Sequence, residues 1–514
     1  MKNESSDIWT KHTAQLIVVF AILFVFFGSG CNTISPKLQD EYIRPGLSQG
    51  MCDVFDEYKQ SIPKLTKKNK IPGLSVAVLD SNGILWSAGF GYADNNKEIP
   101  VTLETIFSIQ SMSKTFTATT VMCAVNDGLV ELDSPITEYL PSFTVHSIFE
   151  ENPEQSITLR HLLSHRAGFT HDAPVGNNYD TYSPSFEDHV LSIPDTWLKF
   201  PVGQKYSYSN VGIDLAGYIL QVQSGKPLEQ YVKEKIFEPL GMSHSSMDMR
   251  VIRKNKNRAI GHNPFLKKLP LEIPMIAAGG VYTNAVDLAE FVRFHLNFGT
   301  LDQREIVPLQ VLSEMYGSTD GHCLALNRRE KHDTVFYAHG GGGFGFHSYM
   351  IWYPEFGIGA IELTNSSPHA IMGHLSTEIL SKLITQKLVT KKSISWLEDA
   401  YKNKLPDSDS NKEEDGTRRA FTPTPYKEEW SSYTGRYTFV YNGYEPAWYV
   451  KGALALGYEH EAATVKIRKK DGHLTINNES LEEIEPGLFF TASGEALDFR
   501  NDIPTWRNIK LRKR

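Results

Sequence analysis

Residues 107–128 read FSIQSMSKTFTATTVMCAVNDG, and the organisation of the whole chain follows from them. The stretch opens as the end of a strand and continues as a long, largely apolar helix. Phe116, Val121, Met122 and Val125 mark its buried side, and Gly128 is the expected left-handed stop. In the first turn Ser111 and Lys114 stand three apart, the pattern S-x-x-K, so the amine is in reach of the hydroxyl. A serine hydroxyl needs a base beside it at neutral pH. A lysine is such a base only with a lowered pKa, which burial among apolar neighbours can supply. The positive end of the helix would stabilise an oxyanion formed at Ser111. Ser111 is therefore the candidate nucleophile.

The pattern alone is weak, because Ser61-Ile62-Pro63-Lys64 matches it too, with a proline that disfavours a helix start. Two further elements give it context. Tyr206-Ser207-Tyr208-Ser209-Asn210 precedes a helical pattern over 211–225; a phenol can relay protons, and the Asn210 amide can hold both Lys114 and a substrate carbonyl. Tyr337-Ala338-His339-Gly340-Gly341-Gly342-Gly343 is a glycine-rich strand, suited to close approach of a ligand and to offering an N–H to an oxyanion. The same run contains G-x-G-x-x-G, but a strand follows it where a dinucleotide site requires a helix. Gly46-Leu47-Ser48-Gln49-Gly50 imitates a nucleophile elbow without the buried strand that an elbow needs.

With 514 residues the chain has room for more than one domain, and a net charge of −8 gives no reason to expect a nucleic-acid partner. The basic ending, residues 510–514, reads as a solvated tail. Residues 16–27 are an unbroken apolar run suited to a signal-peptide core, and small residues lead from it into Cys31. This resembles a lipoprotein cleavage site, with Cys31 as lipid anchor and the bulk of the chain outside the cytoplasm. A plain signal peptide and an uncleaved anchor are the alternatives. Cys123 reads as core, and a Cys52–Cys323 bridge has no signature spacing behind it.

The expected organisation is a signal peptide (1–30), a polar tether (31–55), a first domain (56–395) with a mostly helical insert at about 129–270, a linker (396–425) and a β-rich accessory domain (426–514). Within the first domain a helix is expected over 53–68. Strands are expected over 74–79 and 84–89 about an Asp-Ser-Asn-Gly turn, and again at 279–282, 335–339 and 344–353, with a closing helix at 375–388.

Taken in order, the three elements resemble the serine penicillin-recognising family: class C β-lactamases, D,D-peptidases and related esterases. Residues 71–78 (IPGLSVAV), 157–168 (ITLRHLLSHRAG) and 278–288 (AGGVYTNAVDL) extend the resemblance over about residues 60–390. It implies an antiparallel sheet flanked by helices, an all-helical domain packed on it, and an active site in the groove between. By position it implies Ser111 as nucleophile, Lys114 as its activating partner and Tyr208 as proton shuttle. Asn210, His339 and Gly341 would bind substrate, and the N–H groups of Ser111 and Gly342 would form the oxyanion hole. An acyl-enzyme forms without any metal or cofactor, on a small-molecule, peptide or cell-wall-derived substrate. One departure matters: His339-Gly340-Gly341 stands where β-lactamases and many D,D-peptidases carry Lys-Thr-Gly. A histidine of pKa about 6.5 is mostly neutral at pH 7 and offers a substrate carboxylate little charge. The expectation is therefore ester or amide hydrolysis of a less acidic substrate. A class C-like β-lactamase or D,D-carboxypeptidase, a non-hydrolytic sensor and a structural envelope protein are the alternatives. His161 and His165, four apart on a helix, make a metal pair conceivable but lack the accompanying carboxylate.

Overall fold

In the computed structural model, the described residues are 37–176, 184–264, 269–317, 322–367, 369, 371, 373–394, 421–439 and 464–513. The apolar run at 16–27, Cys31 and linker residues 396–420 lie outside them. No helix among the described residues is long and apolar enough to cross a membrane.

The first domain is built on an antiparallel sheet. In chain order its strands are β1 (Leu38–Ile43), β2 (Gly73–Asp80), β3 (Gly83–Asp94), β4 (Asn327–Lys331), β5 (Thr334–Gly343), β6 (Phe346–Tyr353) and β7 (Ile358–Thr364). Their order across the sheet is β1-β3-β2-β7-β6-β5-β4, with the short Ile99–Pro100 strand paired onto β3. Side chains alternate across a strand, and both faces here are covered. Ala77, Leu79 and Trp352 point into one core. Val76, Val78 and Ile351 point into another, which also holds Phe55 and Trp86. The second core is roofed by α1 (Gln49–Lys68) and α5 (His374–Thr385). Among the helices over the first are α2 (Ser113–Asn126), α3 (Asn210–Ser224) and α4 (Ala285–Leu296). Between 129 and 270 the described residues form short helices, of which α3 is the longest.

Three expectations need correction. The tether is structured from Leu38 onward: β1 pairs with β3 along the sheet edge, and α1 begins at Gln49, not residue 53. Ser48, the centre of the elbow look-alike, is the N-cap of α1, its hydroxyl accepting the Met51 N–H. Residues 276–279 form a helical turn (Ile276–Gly279), and only Tyr282–Thr283 is strand. The basic ending is not a solvated tail: Ile509–Lys513 is a strand that closes a barrel, with Ile509 and Leu511 buried and Lys510 and Arg512 outward.

That barrel is the C-terminal domain. Its eight strands are β8 (Gly435–Phe439), β9 (Thr464–Lys470), β10 (His473–Ile476), β11 (Glu479–Glu485), β12 (Leu488–Thr491), β13 (Ala496–Asp498), β14 (Thr505–Trp506) and β15 (Ile509–Lys513), closed in sequence order. Trp430, Leu474, Leu481 and Phe489 fill its interior. The cysteines among the described residues are free, which removes the Cys52–Cys323 bridge, and Cys123 is buried as expected.

Candidate active site

Phe107–Ser108 pairs with Tyr282–Thr283, the chain tightens into a 3₁₀ turn at Gln110–Met112, and α2 follows. Ser111 thus sits in the turn that feeds the helix N-terminus. The preceding residue, Gln110, has φ +50, a left-handed conformation unusual for a residue with a Cβ. Its side-chain amide donates to Ser108 Oγ at 2.7 Å, which helps hold the turn. Backbone strain of this kind collects at functional sites. The helix behind it is buried on all sides from Ser113 to Ala124, not on one face only. Phe116 stacks on Phe291 of α4 at 3.9 Å and meets Phe237 of the helical insert at 5.9 Å, so α2 is the shared spine of both halves. Gly128, at φ +69, ends it as expected.

Lys114 is fully buried. Its Nζ donates to Ser111 Oγ at 3.1 Å and to the Ala278 carbonyl at 3.0 Å, and no carboxylate among the described residues pairs with it. The Ala278 carbonyl is itself positioned, because Asp214 Oδ1 on α3 accepts the Ala278 N–H at 3.0 Å. Above the amine lies Tyr208, its ring centroid 5.0 Å from Lys114 Nζ. Tyr208 comes from the loop that ends at Ser209, the N-cap of α3, whose hydroxyl accepts the Gly212 N–H and donates to the Thr170 carbonyl.

His165 supports this loop from the other side. Its ring lies 4.6 Å from that of Tyr208, its carbonyl accepts the Ser207 N–H and its Nδ1 accepts the Ser209 N–H. Burial first, then Lys114 and His339, hold its pKa well below the usual histidine range, so the ring is neutral and buttresses the tyrosine. His161 turns instead toward Thr158. The two rings thus have separate partners, and among the described residues no group of three or more His, Cys, Asp or Glu is placed to hold a metal ion.

Asn210 opens α3, and its amide nitrogen donates to Asp172 Oδ1 (3.5 Å) and Met275 Sδ (3.7 Å). Lys114 Nζ bonds Ser111 Oγ and the Ala278 carbonyl in place of the Asn210 amide oxygen expected from sequence. Burial opposes ionisation of Asp172, but hydrogen bonds from His171 and Asn210 outweigh it and hold the carboxylate below its ordinary pKa.

The glycine-rich strand forms the opposite wall. β4 pairs with β5 only as far as Ala338, so among the described residues the stretch from His339 to Gly343 has a strand neighbour, β6, on one side alone. At Gly341 a Cβ would lie 2.0 Å from the Ile109 carbonyl and 2.5 Å from Ser348 Oγ. Only glycine lets the strand come this close to the turn carrying Ser111, and Ser348 Oγ donates to that same carbonyl at 2.7 Å. Gly342, the proposed second oxyanion donor, is the next residue on the strand. His339 is buried beside Tyr208 and His165 around a small cavity. Burial, then Lys114, presses its pKa down to about 4 against a bond to the Gly340 carbonyl that raises it. The ring is neutral at pH 7, and its Nδ1 donates to the Gly340 carbonyl at 2.8 Å.

The sign of the resulting pH effect is fixed. Below its unfolded pKa of about 6.5 His339 takes up a proton in the unfolded chain but not in the folded one. Stability is therefore retained above about pH 6.5 and lost as pH falls toward 4. His339→Gln should lose on the order of 2 kcal/mol less than wild type between pH 7 and 4. Urea midpoints at the two pH values measure this, and equal losses would contradict it.

A strained serine turn backed by a buried lysine, a tyrosine over the amine and a glycine-rich strand against the turn place the chain in a known class. Residues 58–381 match the family model Beta-lactamase, and the protein belongs to that family. Protein flp of Staphylococcus aureus is 23% identical over 327 residues, 61% of this chain and 64% of flp, so the chain spans just under two thirds of that relative's length. The unguisins hydrolase of Aspergillus campestris is 26% identical over 367 residues, 65% of this chain and 66% of that protein. The octameric penicillin-binding protein homologue from Pyrococcus abyssi shares the fold over 89% of this chain and 99% of its own, at TM-score 0.55 and 21% identity. D-alanine carboxypeptidase AmpC from Burkholderia cenocepacia does so over 65% of this chain and 99% of its own, at TM-score 0.54 and 20% identity.

Sequence reasoning missed Gln110, His165 as a buttress, the His171–Asp172 pair and Ser348. A left-handed φ has no signature in a glutamine, and the other three act through contacts between distant segments.

Proposed function

We propose that the protein is a serine hydrolase that forms an acyl-enzyme on Ser111 and cleaves an ester or amide. The observation that carries this reading is the 3.1 Å hydrogen bond from the fully buried Lys114 amine to Ser111 Oγ, beneath the Tyr208 ring. Ser111 Oγ attacks the substrate carbonyl as its proton passes to Lys114. The oxyanion gathers at the N–H groups of Ser111 and Gly342, at the positive end of α2. Tyr208 relays the proton to the leaving group, and a water then releases the acyl group by the reverse route. Two relatives bearing the names of a hydrolase and a carboxypeptidase support the general class.

The neutral His339 offers no fixed cation to a substrate carboxylate, which argues for a less acidic ester or amide over a β-lactam. Turnover of p-nitrophenyl acetate and of D-amino-acid amides should therefore exceed that of nitrocefin by about tenfold or more in kcat/KM, the factor one weak ionic contact supplies. All of it should disappear in Ser111→Ala. Nitrocefin as the best substrate would overturn the specificity, and activity retained in Ser111→Ala would overturn the mechanism.

We also propose that the chain works outside the cytoplasm, tethered to the membrane by a lipid on Cys31. The motivation is the apolar run at 16–27 leading into that cysteine. Metabolic palmitate labelling that persists in Cys31→Ser would refute the tether.

A further inference from the structure

The wall of the groove that carries Tyr208 and Asn210 is held from outside its own domain. The β12–β13 turn of the barrel presents Glu495, which is buried although it carries a carboxylate. Its Oε1 pairs with Lys199 Nζ at 2.7 Å and with Arg507 Nη2 at 3.3 Å, and its Oε2 accepts from Thr170 Oγ1 at 3.2 Å. Each of the two catalytic-domain partners goes on to grip the tyrosine loop. Lys199 Nζ also donates to Ser207 Oγ at 3.2 Å, one residue before Tyr208. The Thr170 carbonyl accepts Ser209 Oγ at 2.7 Å, one residue after it. A second barrel turn, between β14 and β15, adds Asn508, whose amide donates at 2.9 Å to the carbonyl of Asp172, the residue whose carboxylate accepts from Asn210.

The contact is built tightly. In the same turn as Glu495, Gly494 lies against the Lys199 backbone, and a Cβ there would sit 2.1 Å from the Lys199 carbonyl. Trp197 is packed between barrel residues, with Phe490 edge-on at 5.8 Å and the Arg500 guanidinium at 5.6 Å.

We infer that the C-terminal barrel is a working part of the active site, in which Glu495 is a positioning residue that fixes Tyr208 and Asn210 through Lys199–Ser207 and Thr170–Ser209. A buried carboxylate between two cations and a hydroxyl keeps its place only while all its partners are present. On its other side the loop from Ser207 to Asn210 is held by backbone bonds to the His165 and His171 carbonyls, by the Ser209 N–H bond to His165 Nδ1 and by the Asn210 amide bonds to Asp172 and Met275. Withdrawing the barrel's carboxylate frees one face of that loop without touching Ser111 or Lys114. The inference rests on the serine-hydrolase reading only for its kinetic consequence; the ordering of the loop stands apart from it.

The test compares full-length wild type with Glu495→Gln, which keeps shape and removes charge. Hydrogen exchange of peptides spanning 205–212 should be about tenfold or more faster in the variant, the factor expected for losing a charge-assisted buried hydrogen bond. Exchange in α1 and in the main sheet should be unchanged. With p-nitrophenyl acetate, kcat should fall by a similar factor at a KM within about threefold. Adding Glu495→Gln to Tyr208→Phe should cost clearly less than the product of the two single losses, since Glu495 acts in part through Tyr208. Unchanged exchange over 205–212, or an additive loss in the double variant, overturns the inference. Should wild type and Ser111→Ala prove equally inactive, the hydrolase reading fails and the exchange comparison decides the inference alone. Gly494→Ala, which disturbs the docking and leaves Glu495 in place, gives the same exchange test if Glu495→Gln does not fold.

Discussion

Lys114→Met is expected to lower turnover of p-nitrophenyl acetate by about 10³-fold, within the range that loss of a positioned general base produces. The substitution removes the one nitrogen bonded to Ser111 Oγ among the described residues and leaves a side chain of similar length in a fully buried site. Methionine fills such space readily. The Ala278 carbonyl loses a donor, a cost of about 1 kcal/mol, but a buried amine no longer has to be kept from water. Melting temperature should therefore stay within a few degrees of wild type while kcat collapses. A variant with near-native turnover would remove Lys114 from the mechanism. A variant that is inactive because it is unfolded would show a structural role in place of a chemical one.

Gly341→Ala is expected to cost activity about 10²-fold and stability about 1 to 3 kcal/mol. The added methyl would meet the Ile109 carbonyl at 2.0 Å and Ser348 Oγ at 2.5 Å, both far inside contact distance. The strand must retreat or the turn before Ser111 must move, and either change shifts the nucleophile against the wall that supplies the second oxyanion donor. Gly128→Ala is the matched control. It too replaces a glycine, at φ +69, but meets nothing within 4 Å, so it should cost about 1 kcal/mol and leave kcat unchanged. Equal activity in the two variants, read from kcat at matched fraction folded, would contradict the close approach of β5 to Ser111.

These residues also show how far the chain was legible before its structure. The apolar run over 74–79 announced a strand, and S-x-x-K, Y-x-N and H-x-G were recognisable because each is a short local pattern. β1 was hidden because its face is polar: Glu41 reads as tether, yet its carboxylate accepts from the Trp86 indole at 2.9 Å and pairs with Lys59. The last strand was hidden by its charges. Two buried residues, Ile509 and Leu511, are too few for an alternation to stand out among lysines and arginines. The Asn210 amide's partners, Asp172 and Met275, were out of reach of a local pattern because they lie 38 and 65 residues away in sequence. Glu495 is separated from Thr170 by 325 residues, and no local pattern could have joined them.

Intact-protein mass spectrometry after treatment with a fluorophosphonate tests the central claim most directly. The account requires a single covalent adduct, mapped by peptide sequencing to Ser111, formed at least about 10²-fold more slowly in Lys114→Met and absent in Ser111→Ala. An unmodified wild-type chain, or an adduct on any other residue, would contradict it.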